Sequence, residues 1–126
     1  VRRAVEVARG SGALVHLVTA YPDVPSYRER IASTAKRDPI DLREVAESVL
    51  ARAAGELGSR GVEVETHARE GEPASVIMEV AQEQNADLIV VGARGLTAIQ
   101  RFLLGSVSSK LSHHAPCSVM IVREEA

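Results

Sequence analysis

Ala86-Asp87-Leu88-Ile89-Val90-Val91-Gly92 is the stretch on which the fold class turns. It is a continuous apolar run, β-branched at its centre, that ends in glycine. Such a run suits a central strand of a parallel sheet, covered on both faces, whose C-terminal end opens on a ligand crevice. Upstream, Gly71-Glu72-Pro73 starts a helix with proline at or near its first position, and Ala74, Ile77, Val80 and Ala81 form its buried stripe as far as Gln84-Asn85. Downstream, a loop leads to a helix carrying Val107, Leu111 and Ala115, which Pro116 breaks. Ser118-Val119-Met120-Ile121-Val122 is then the last strand.

The N-terminal half repeats this alternation. Val1, Val5 and Ala8 share one helical face and Gly10-Ser11-Gly12 stops the helix, so the sequence begins inside it. Ala13 to Ala20 is a short, mostly apolar strand, suited to cover on both faces and closed by Tyr21-Pro22, with His16 read as a core or sheet histidine. The segment from Tyr21 to Asp38, broken by Pro22 and Pro25, reads as a long connection and a candidate lid. Asp38-Pro39 sets a helix start, and Leu42, Val45, Ala46, Val49, Leu50, Ala53 and Leu57 follow at helical spacing until Gly58 and Gly61 end it. Val62, Val64 and Thr66 then alternate with Glu63, Glu65 and His67, the pattern of a half-exposed edge strand on which His67 is solvated. Helices alternating with strands imply one layered α/β domain over residues 1–126, with right-handed crossovers and helices on both sheet faces.

Composition narrows the function classes. The sequence has 126 residues, 45% hydrophobic and 25% charged, with a net charge of -2 and a pI near 6.1. That balance argues against disorder and against a broad electrostatic footprint for nucleic acid. Aromatic residues are 2% and tryptophan is absent, which disfavours a base-stacking platform. No apolar run approaches the roughly 18 residues of a membrane span, and the first residues lack the apolar core of a signal peptide. A single cysteine, Cys117, leaves no intramolecular disulfide and no multi-cysteine zinc site, which accords with a cytoplasmic setting. Cys117 itself reads as a small buried hydrophobe rather than a reactive thiol.

The segment Val91 to Val107 carries the chemistry. Glycines stand where a strand ends (Gly92), three residues later (Gly95) and where the next helix begins (Gly105), with Ser106 beside the last. Glycine lets a ligand approach the backbone closely, and a helix start offers N–H groups and a positive dipole end, so the pattern suits phosphate oxygens. Arg94 and Arg101 add candidate charge-assisted hydrogen bonds. The pattern is neither a P-loop nor the dinucleotide fingerprint, because the Gly-Lys-Ser/Thr and Gly-x-Gly-x-x-Gly spacings are absent.

The spacing Gly92-x2-Gly95-x9-Gly105-Ser106 resembles the nucleotide-binding signature of the universal stress protein family. Gly71-Glu72-Pro73, Ala86 to Gly92, Leu103 to Ser108 and Ala115 to Val122 are also similar to that family's C-terminal half. The resemblance implies a three-layer, Rossmann-like α/β/α sandwich around an open five-stranded parallel sheet of order 3-2-1-4-5, of the adenine nucleotide alpha hydrolase type. It also implies a homodimer, here through the C-terminal strand, and ATP binding, with Mg2+ as an accompanying ion. By matching positions, Gly92 and Gly95 would line ribose and phosphates, Gly105 and Ser106 would hold phosphate and Val107 would lie beside them. Thr19 or Ala20 would approach adenine, and Arg101 would contact phosphate.

Family members open with a central strand whose aspartate joins the nucleotide site, whereas Val1 already falls in the helix that should follow. A sheet of this order lacking that strand would leave backbone groups of its neighbours unpartnered. The expectation is therefore that a natural N-terminal strand precedes Val1. The leading function is a non-enzymatic ATP-binding stress or signalling module; the alternatives are a slow ATP hydrolase and a nucleotide-free dimerisation module. Against hydrolysis, no pairing of a general base with a metal-holding carboxylate is evident near the motif. His113-His114, adjacent on one helix, read as complements to its dipole rather than metal ligands.

Overall fold

The computed structural model describes residues 2–22, 41–92 and 105–122. These form two compact units, Val1–Val76 and Ile77–Ala126.

The first unit starts with helix α1, Arg2–Ser11, which buries Val5 and Ala8. Strand β1, Val15–Tyr21, follows. Helix α2, Leu42–Ser59, begins at Asp41, whose Oδ1 accepts hydrogen bonds from the backbone N–H groups of Arg43 (3.1 Å) and Glu44 (3.3 Å). Asp41, rather than Asp38-Pro39, thus caps the helix; Asp38 and Pro39 lie outside the described residues, as does the candidate lid from position 23 onward. At the other end Gly61 adopts φ +79, a turn that needs the freedom of glycine. The apolar stripe of α2 is narrower than its spacing suggests: Ala46, Leu50 and Leu57 are buried, whereas Val45 and Val49 remain 49% and 56% exposed.

Strand β2, Val64–Glu70, pairs parallel to β1 from Val15 with Val64 through Tyr21 with Glu70. Register places Val15, Leu17 and Val64 on one face. They pack against a core of Val5, Ala8, Leu57 and Val62, so α1 and α2 cover the same side of this strand pair. His16, Glu65 and His67 fall on the opposite side by the two-residue period. Expected as fully covered, β1 is instead half-buried along most of its length, and only Tyr21 is buried. Gly71 closes the unit's last strand with φ +143, donating its N–H to the Tyr21 carbonyl at 2.9 Å; an added Cβ would meet Val76 Cγ2 at 3.0 Å.

Helix α3, Pro73–Glu83, contains the boundary between the units. Glu72 caps it, accepting from the backbone N–H groups of Ala74 (3.2 Å) and Ser75 (3.0 Å) and from the Ser75 hydroxyl (2.9 Å). Ala74, Val76, Val80 and Ala81 are buried and Ile77 is half-buried, so Val76 takes part in the stripe where Ile77 was expected.

The second unit contains strand β3, Leu88–Gly92, helix α4, Ser106–His114, and strand β4, Ser118–Val122. β3 and β4 pair parallel from Leu88 with Ser118 through Gly92 with Val122. Ile89 is buried while its strand neighbours are half-buried or exposed, so β3 is less covered than a fully enclosed strand. Leu111 anchors α4 with no exposed surface. Among the described residues there are four strands in two parallel pairs, and these do not establish the five-stranded order 3-2-1-4-5.

Candidate functional site

The end of β3 and the start of α4 come together in the second unit. Gly105 is the N-cap of α4, with φ -61 and ψ 159 and no side chain to satisfy the first turn. The first N–H groups of a helix have no carbonyl four residues back to bond, and they sit at its positive dipole end. The first intrahelical donor is the Ser109 N–H, which reaches the Gly105 carbonyl at 2.9 Å. Ser106 is exposed at the first helical position and Val107 is half-buried behind it.

Ser108 joins these two elements. Only 2% exposed, it donates its hydroxyl to the Gly92 carbonyl at 2.8 Å. This bond fixes the glycine end of β3 against the first turn of α4, leaving an exposed Gly92 beside an exposed serine hydroxyl and a helix N-terminus. The surface so formed can offer backbone N–H groups, a hydroxyl and dipole charge to an anion.

Of the expected site residues, Gly92, Gly105, Ser106 and Val107 are brought together. Arg94, Gly95 and Arg101 lie outside the described residues. Thr19 and Ala20 belong to the other unit, near the C-terminal end of β1, where they pair with Ala68 and Arg69. Ser108 is not evident as a site residue from the sequence. Its signal was a small hydroxyl residue three positions before Leu111, on the buried side of an amphipathic helix.

Two further residues depart from expectation. Cys117 is half-buried rather than enclosed; burial, and to a lesser extent Asp87, pushes its thiol pKa up and keeps it in the protonated, poorly nucleophilic form. His67 is half-buried and in contact with His16 rather than solvated on an open strand. His113 and His114 do sit in the last turn of α4, exposed, with ring centroids 6.2 Å apart. Among the described residues, no helix is long and apolar enough to cross a membrane.

Comparison with known proteins gives these features a context. A structure of the universal stress protein UspA from Lactobacillus plantarum superposes with a TM-score of 0.76 at 23% identity, over 97% of this chain and 86% of that one. The crystal structure of a universal stress protein in complex with cAMP superposes with a TM-score of 0.68 at 27% identity, over 98% of this chain and 83% of that one. In sequence, a putative universal stress protein of Staphylococcus aureus (strain USA300) is 50% identical over 64 residues. That match covers 50% of this chain and 39% of the relative's length. The profile of the universal stress protein family matches residues 1–123. The chain therefore belongs to the universal stress protein family.

Proposed function

We propose that this chain binds ATP through the Gly92 and Gly105-Ser106 surface and acts as a nucleotide-dependent stress-response or signalling module rather than as an enzyme. The observation that carries this reading is the 2.8 Å hydrogen bond from Ser108 Oγ to the Gly92 carbonyl, which holds a glycine strand end beside an uncapped helix N-terminus. Preorganised N–H groups and a hydroxyl suit phosphate oxygens. Similarity to a universal stress protein crystallised with cAMP supports an adenine nucleotide as the ligand class. Val107 lies beside the phosphates in this reading, while Gly95, Arg94 and Arg101 are added by the family resemblance. The assignment of Thr19 or Ala20 to adenine also rests on that resemblance alone.

Between Gly92 and Val107 the sequence contains no Asp or Glu. Any Mg2+ would therefore arrive on the nucleotide, with this segment supplying no carboxylate to hold it, which favours binding over hydrolysis. β4 pairs only with β3 among the described residues, and its other edge is where a second copy would add in a homodimer.

Isothermal titration with ATP tests the reading. The double substitution Gly105→Ala with Ser106→Ala should weaken binding by about tenfold or more, the loss expected when a charged ligand forfeits such donors. Gly105 has a negative φ that alanine also adopts, and Ser106 is exposed, so folding should survive. Unchanged affinity in the double variant would refute the assignment. Phosphate release above that variant's background would instead favour the slow hydrolase.

A further inference from the structure

The other face of the first unit carries a second group of chemically capable side chains. Parallel pairing sets His16 opposite Glu65, and His67 two residues further along β2, so all three project from the face that α1 and α2 do not cover. His16 Nδ1 lies 3.0 Å from His67 Nε2 and 3.5 Å from Glu65 Oε2. One ligand atom from each of the three falls within 4.8 Å of the other two. Among the described residues, this is the one place where three metal-ligating side chains converge.

Two imidazole nitrogens at 3.0 Å cannot both carry a hydrogen toward the other. With one proton between them they form a hydrogen bond; with a cation in its place they become two ligands sharing it. Zinc–nitrogen bonds of about 2.0–2.1 Å at a tetrahedral angle put two ligand nitrogens about 3.3 Å apart. The observed spacing is short of that by only a few tenths of an ångström, within the reach of small side-chain rotations. The carboxylate of Glu65 stands at the margin of the group, its side chain 55% exposed against 17% for His16. Glu65 is thus accessible to solvent and can turn toward an incoming ion.

We propose that His16 Nδ1, His67 Nε2 and a Glu65 carboxylate oxygen form a binding site for a borderline divalent cation of the zinc class. Two imidazoles and one carboxylate make a nitrogen-rich donor set that suits zinc, whereas Mg2+ prefers oxygen donors alone. Three protein ligands leave a fourth position for water. Because the ligands come from two adjacent strands, the ion would clamp β1 to β2 across their pairing. The site is separate in sequence from the glycine motif and does not depend on nucleotide binding.

Zinc titration of the full chain by calorimetry, with Mg2+ in parallel, tests the proposal. The expected result is saturable binding of one zinc per chain and little response to Mg2+. His16→Gln and His67→Gln should each weaken zinc binding by about tenfold or more, since each removes a direct ligand. Glu65→Gln should weaken it less. A combined His113→Gln, His114→Gln and Cys117→Ser variant, which removes the other two histidines and the thiol, should retain it. Absence of saturable zinc binding, or its persistence in either folded His16→Gln or His67→Gln, would overturn the site. Should those variants lose their circular dichroism signal, 15N spectra of the wild-type histidines decide. Zinc must shift Nδ1 of His16 and Nε2 of His67; shifts confined to His113 or His114 overturn the proposal.

Discussion

β1 and β2 run in register over seven residue pairs, Val15 with Val64 to Tyr21 with Glu70, whereas β3 and β4 run over five, Leu88 with Ser118 to Gly92 with Val122. Both are parallel pairs, yet they place their chemistry differently. In the first pair the two faces divide the work: Val15, Leu17 and Val64 meet the helices, and His16, Glu65 and His67 gather on the other side. In the second pair the apolar residues run on consecutively through Ile89, Val90 and Val91, and polar function is displaced to the strand end, where Gly92 meets Ser108. A strand with polar residues on one face can carry a site on that face. A strand without them can meet a ligand only at its end, where the proposed site uses glycine and a helix N-terminus.

The largest expected effect tests whether the two units are energetically distinct. Leu57 has no exposed surface and holds the core beneath β1 and β2, so Leu57→Ala should cost about 2–5 kcal/mol in chemical denaturation. Hydrogen exchange should rise first at amides of β1 and β2, with β3 and β4 less affected; an equal rise in all four strands would show a single cooperative unit. Next comes Ser108→Ala, which leaves the Gly92 carbonyl without its hydroxyl donor and should cost about 1–3 kcal/mol. The same variant should weaken ATP binding while leaving zinc binding unchanged, and a loss of both would break the separation of the two pairs. Smallest is Asp41→Ala, which removes the cap of α2 at a cost of about 1 kcal/mol, read as a lower denaturation midpoint. It should leave both ligand titrations unaltered.

Legibility from sequence followed distance along the chain. The strand ending at Gly92, the helix opening at Pro73 and the buried Leu57 all rest on periods of two or 3.6 residues and on Pro and Gly signals, which act within a few neighbours. Helical spacing overstates the stripe of α2 at Val45 and Val49, because it gives which residues share a side, not how wide a partner covers it. Gly92, Gly105 and Ser106 were readable because they belong to one segment with a recognisable spacing. Ser108 is harder to see, since its partner lies 16 residues away along the chain.

By itself the sequence determined the alternation of helices and strands, the parallel character of β3 and the glycine spacing from Gly92 to Gly105. Tertiary structure alone decided which face of β1 is covered and that His16 meets His67 from 51 residues away. The physical reason is register. Pairing Val15 with Val64 puts His16, Glu65 and His67 on one face, and sliding one strand by a single residue would send its members of the group to the other side.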